Sequence, residues 1–113
     1  MTLREVLAEA AATFEDVTRS EPDSGPGITA PITWTRAGTA FAILEPGGGV
    51  VEFALDPAVA TAATRTPDVA RSERGPGWIR FAPATLDGHA VDRATAWFAS
   101  AARRTGNGSR PTH

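Results

Sequence analysis

Cysteine, lysine and tyrosine are missing from this 113-residue sequence, and histidine occurs twice. Without Cys there is no disulfide framework, no thiolate nucleophile and no Cys-based zinc site. Without Lys and Tyr, most of the remaining nucleophiles and proton donors are gone as well. His113 is the last residue, and His89 stands between Asp87 and Asp92 at an apparent helix start, where capping is the commoner role. No Ser sits in a Gly-x-Ser-x-Gly elbow. The "PGGG" at 46–49 lacks the Gly-Lys-Ser/Thr of a phosphate loop. The expectation is a protein that is not an enzyme and has no cofactor. Long apolar runs are missing too: none approaches the roughly 18 residues that span a bilayer, and no signal-peptide core opens the chain. A cytoplasmic protein with no membrane partner is expected.

Arginine supplies all 11 basic residues and alanine 22 of the 113 positions, a bias typical of a GC-rich bacterial genome. The net charge of −2 provides no overall pull toward nucleic acid. With 42% hydrophobic and 21% charged residues the composition is that of one globular domain. That domain is expected over 1–104, with 105–113 ("TGNGSRPTH") as a flexible tail because it has no periodicity.

Thr2 followed by Glu5 fits a capping box, and Leu3, Val6, Leu7, Ala10, Ala11 and Phe14 recur at helical spacing, which predicts a helix over 2–14. Pro22, Pro26 and Pro31 exclude a helix from 15–31, where a short extended piece at Asp16–Arg19 fits; a connection this long is mobile or functional. Alternation predicts strands at 32–37, 40–45 and 50–55. A three-residue loop of Gly47, Gly48 and Gly49 would align Phe41, Ile43, Val51, Phe53 and Leu55 on one face, as a sheet packed on helices requires. Asp56-Pro57 starts a short helix, and 66–77 reads as an exposed loop. A strand at 77–82 and a helix over 89–104 follow, the helix turning Val91, Ala94, Phe98, Ala101 and Ala102 inward.

This αβββαβα order, carried by "AGTAFAIL", "FALDP", "GPGWIRF" and "LDGHAVDRATAWFASAARR", resembles the MmcQ/YjbR-like family over nearly the whole chain. The resemblance implies an α+β domain with a frataxin/CyaY-like fold: an antiparallel sheet covered on one face by helices. It also implies a DNA-binding label, drawn from the double-wing look of the hairpins. Many members carry a basic residue where Thr39 and Ala54 stand here, so two positive charges are lost from the sheet.

The stretch "RGPGWIRF" at 74–81 carries the best candidate site. In a strand, Trp78 and Arg80 share one face while Ile79 and Phe81 share the other. An aromatic beside a guanidinium suits nucleic acid; it equally suits a cation–π cover for an open sheet, with Arg80 lying over Trp78 or Trp34. Arg65, Arg71 and Arg74 fall within ten residues and form a basic cluster, interrupted by Asp68 and Glu73. Glu5, Glu9, Glu15 and Asp16 form an acidic edge for which iron is the metal reading, with a solvated face as its plain alternative. Three functions therefore stand: a weak DNA-binding module using Arg65, Arg71, Arg74, Trp78 and Arg80; a protein- or small-ligand-interaction module using the open sheet face; and metal binding through the first helix.

Overall fold

The computed structural model describes residues 2–20 and 31–108. Most of the 15–31 connection and the end of the expected tail lie outside them. Helix α1 spans Leu3–Ala11 and is started by the capping box: the Thr2 hydroxyl accepts from the Glu5 N–H, and the Glu5 carboxylate accepts from the Thr2 N–H at 2.8 Å. Strands follow at β1 (Val17–Ser20), β2 (Ile32–Arg36), β3 (Thr39–Leu44) and β4 (Val51–Ala54). Helix α2 (Pro57–Ala63) has Asp56 as its cap, accepting from the Ala58 N–H at 2.9 Å. Strands β5 (Val69–Arg71) and β6 (Trp78–Phe81) precede α3 (Gly88–Gly108). Asp87 begins α3, its carboxylate accepting from the Ala90 N–H.

The protein is thus α+β, the described residues forming three helices and one six-stranded antiparallel sheet in the order β1-β2-β3-β4-β6-β5. The element order is αββββαββα, two strands richer than the expected αβββαβα. Both additions are edges. β1 matches the short extended piece near Asp16–Arg19, whereas β5 lies inside the stretch expected to be a loop. An edge strand three residues long that ends in an exposed Arg offers little to alternation, and it also resists edge-to-edge aggregation. Helix α1 ends three residues short of its expected end, and α3 runs past 104, with Thr105 buried and its hydroxyl donated to the Ala101 carbonyl at 2.8 Å.

The β3–β4 register corrects the expected loop. Leu44 pairs with Val51 and the Glu45 N–H donates to the Val50 carbonyl, so the loop is Pro46–Gly49, four residues and not three. Ile43 consequently pairs with Glu52 on the face away from the helices, and it stands apart from the main core cluster. Phe41 still reaches the helices, because the register slips between Trp34 and Thr35: Trp34 faces Ala42 while Thr35 faces Ala40. Phe41 is the extra residue of this bulge, which turns it to the same side as Ala42. One bulge therefore keeps Phe41, Val51, Phe53 and Leu55 in the core across an even loop.

The core lies between the sheet and the helices, with α1 packed on α3. Phe98 is its hub, 5.0 Å from the Phe41 ring, 5.8 Å from Trp34 and 6.4 Å from Phe14. Trp97 extends the cluster edge-on to Phe81 at 5.2 Å. Trp34 is fully buried on this side, so it does not extend a patch on the open face. Its indole N–H has no hydrogen-bond partner among the described residues, which costs about 1–3 kcal/mol, while the edge-on contact with Phe98 returns about 0.5–1.5 kcal/mol.

Candidate functional site on the open sheet face

Opposite the helices, one register row crosses all six strands: Ser20, Thr33, Ile43, Glu52, Arg80 and Ala70. No helix covers it. Trp78 and Arg80 share this face as alternation requires, while Ile79 and Phe81 are buried beneath. Trp78 is half-buried and Arg80 exposed.

Toward the β6 side the face opens into a concavity of about 540 Å³ lined by Glu45, Glu52, Arg71, Ser72, Glu73, Arg74 and Arg80. Glu52 is its floor and is 6% exposed. A buried carboxylate is costly unless both oxygens find donors. Here one oxygen accepts from the Ser72 hydroxyl and the other from Arg74 Nε at 2.5 Å. Ser72 is placed by its own N–H, which donates to the Trp78 carbonyl and so continues the β5–β6 ladder. The Ser72 hydroxyl also accepts from the Arg74 N–H, which tightens the turn. Arg74 then lies over the Trp78 ring, 5.9 Å from its centre. The cation–π cover exists, but Arg74 supplies it. Arg80 instead points to Glu45, with Nε 3.3 Å from the carboxylate, and neither Trp78 nor Trp34 lies under it.

Gly77 holds the turn in place. Its φ is +83°, and a Cβ there would stand 2.2 Å from the Leu55 carbonyl oxygen, beside the bond from the Leu55 N–H to the Gly77 carbonyl that ties the two segments together. The Gly-Pro-Gly before Trp78 therefore serves backbone approach, which is how Arg74 comes back across the sheet to Glu52.

The expected basic cluster divides. Arg71, Arg74 and Arg80 line one concavity, but Arg71 donates Nη2 to the Thr61 hydroxyl of α2 at 3.0 Å. Arg65 is exposed past the end of α2 and is not part of the lining. Three guanidiniums there meet three carboxylates, so the site has no net positive charge. Glu45, Glu52 and Ser72 are the members that sequence reasoning missed. A Glu between Val51 and Phe53 marks an open-face position, but its partner depends on β5, which the sequence hides.

The acidic edge is engaged elsewhere. Bonds from the Thr2 backbone and side chain hold the Glu5 carboxyl below the usual carboxylate range. The Arg36 guanidinium, 2.9 Å away, does the same to Asp16. Among the described residues, no group of three or more His, Asp or Glu side chains could hold a metal ion. Arg36 also donates to the Ala102 carbonyl at 2.8 Å and lies over Phe14, tying β2 to α3 and to the turn that follows α1. Among the described residues no helix is long and apolar enough to cross a membrane.

No protein-family model matches the chain, and no curated protein matches it. Among solved structures it is similar to the crystal structure of a protein from Pseudomonas syringae determined by a structural genomics consortium, with a TM-score of 0.63 and 12% identity over 93% of this chain and 99% of that one. At that identity the likeness speaks for the fold alone: a helix-backed α+β domain spanning both chains nearly end to end.

Proposed function

We propose that this protein is a non-enzymatic binding module that takes a partner on the open sheet face, around Arg74, Trp78 and Arg80. The observation that supports this most is the concavity built on the side the helices leave bare: a buried, doubly bonded Glu52 holds Arg74 over Trp78, and Arg80 stands exposed beside them. A sheet that only needed covering would not require a buried carboxylate to position an arginine. Kinship with the MmcQ/YjbR-like family and a CyaY-like arrangement remain part of this proposal, carried by the sequence motifs.

DNA is the second reading. The arginines on one face favour it, and the equal number of carboxylates weakens it. It leads to weak, sequence-insensitive binding that weakens as salt rises, because phosphate contacts release counterions. The test is a peptide-display selection on the wild-type protein, with amide chemical-shift mapping of the selected peptides and of a 20-base-pair duplex at two salt concentrations. Shifts at Glu52, Ser72, Trp78 and Arg80 support the proposal, and binding confined to the helix side overturns it. A steep salt slope with duplex alone would favour DNA. Trp78→Ala and Arg80→Ala are expected to lose binding while costing about 1 kcal/mol or less in stability; a loss of several kcal/mol with normal binding would make Trp78 a core residue only.

A further inference from the structure

We infer that the open face recognises a carboxylate on a short peptide segment, with Arg80 exchanging Glu45 for the peptide's acid group; this rests on the reading of that face as a binding surface. Three observations carry it. The first is an imbalance of hydrogen-bonding capacity. Both oxygens of Glu52 are already occupied, by Ser72 and Arg74. Arg74 and Arg80, by contrast, each bond their carboxylate through Nε, and their terminal Nη groups have no acceptor among the described residues. A planar guanidinium presents donors in a fork that fits a carboxylate with two bonds, so the unused edges ask for an anion of that shape.

The second is the contrast between the two ion pairs. Glu52–Arg74 is short, and its carboxylate is 8% exposed; Glu45–Arg80 is 3.3 Å long, with side chains 32% and 47% exposed. An exposed pair of this kind contributes little, so an incoming carboxylate can displace Glu45 at small cost. The buried pair stays and keeps Arg74 over Trp78, pre-organised as the second donor. Arg71 is held by Thr61, and Glu73 at the lip disfavours a densely charged polyanion.

The third is size. Six strands averaging four to five residues make a face of roughly 29 Å by 14 Å, about 400 Å². The built part of that face is the concavity, whose lining is seven residues, a fraction of the about 20–30 residues a side that a stable contact between folded proteins uses. An extended segment of a few residues fits it, as does the concavity of about 540 Å³.

The test uses a defined probe, the hexapeptide Gly-Ala-Asp-Leu-Asp-Gly, beside its Asn-for-Asp analogue and the same peptides with amidated C-termini. Amide chemical-shift mapping and calorimetry on the full chain are the readouts. The acidic peptide is expected to shift Glu45, Trp78 and Arg80 and to bind at least tenfold more tightly than the amidated Asn analogue, which carries no carboxylate. Arg80→Ala should weaken it at least tenfold. Glu45→Gln should tighten it severalfold, a gain that misfolding cannot imitate. The amidated pair decides whether a side-chain or a C-terminal carboxylate is held. Equal binding of the acidic peptide and the amidated Asn peptide, or no gain from Glu45→Gln, overturns the inference. If peptides from the display selection still map to the open face, the binding-module reading survives that failure; if they map to the helix side, it fails too.

Discussion

Ile32, Leu44, Val51 and Phe81 lie in one register row of the sheet, and Thr33, Ile43, Glu52 and Arg80 lie in the next, a single residue further along each strand. The first row is sealed under α1 and α3 and is held by apolar burial, at about 1.5–3 kcal/mol for each large side chain. The second has no helix above it, yet Ile43 and Glu52 are nearly as inaccessible. Over Glu52 the cover comes from Ser72 and Arg74, in the turn between β5 and β6. The covered face tolerates no gap, because its packing is non-directional and dense. The open face is directional: each polar atom buried on it needs a specific donor, so its order depends on a few bonds. Stability is concentrated on one side of the sheet, and directional polar chemistry on the other.

That contrast can be broken in order of expected effect. Phe98→Ala, which removes the ring touching Phe14, Trp34 and Phe41, should cost about 3–5 kcal/mol in chemical denaturation; a loss under 1 kcal/mol would mean that the aromatic hub does not hold the covered face. Gly77→Ala forces a Cβ toward the Leu55 carbonyl at φ +83° and should cost about 2–3 kcal/mol. The same variant should disturb the Arg74 and Trp78 amide signals before those of α1, and a uniform disturbance would contradict local control of the open face. Glu52→Ala should cost about 1–2 kcal/mol, less than a fully buried pair because Arg74 is 43% exposed and regains water. Its sharper readout is Trp78, whose ring should lose its Arg74 contact; unchanged tryptophan emission would show that Glu52 does not position the arginine.

The smallest effect is a pH dependence. The Asp16 carboxyl is lowered by Arg36, so the pair stabilises the fold above the unfolded-state value near 4 and loses this as pH falls through the lower folded-state value. Asp16→Asn should therefore lower stability slightly at neutral pH and, by the same small amount, flatten the acid limb of the stability curve below about pH 4. An acid limb identical to the wild type would remove Arg36–Asp16 from the account.

Local order was legible where neighbours in sequence decide the outcome. The capping box of Thr2 and Glu5, the Asp56-Pro57 helix start and the opposite facing of Trp78 and Ile79 each depend on contacts within a few residues, so composition and spacing determined them. The β3–β4 loop shows the limit. An odd loop is the simplest way to align five apolar residues, but the chain closes with four residues and restores Phe41 through a bulge against Trp34 and Thr35, a pairing between strands that spacing cannot specify. The site lies beyond the same limit. Arg74 and Arg80 could be singled out by type, but which of them covers Trp78 was decided by Glu52, twenty-two residues from Arg74 in sequence. That contact exists because β6 lies between β4 and β5, and strand order is set by the packing of the whole sheet against its helices, a global quantity to which no local stretch of sequence contributes alone.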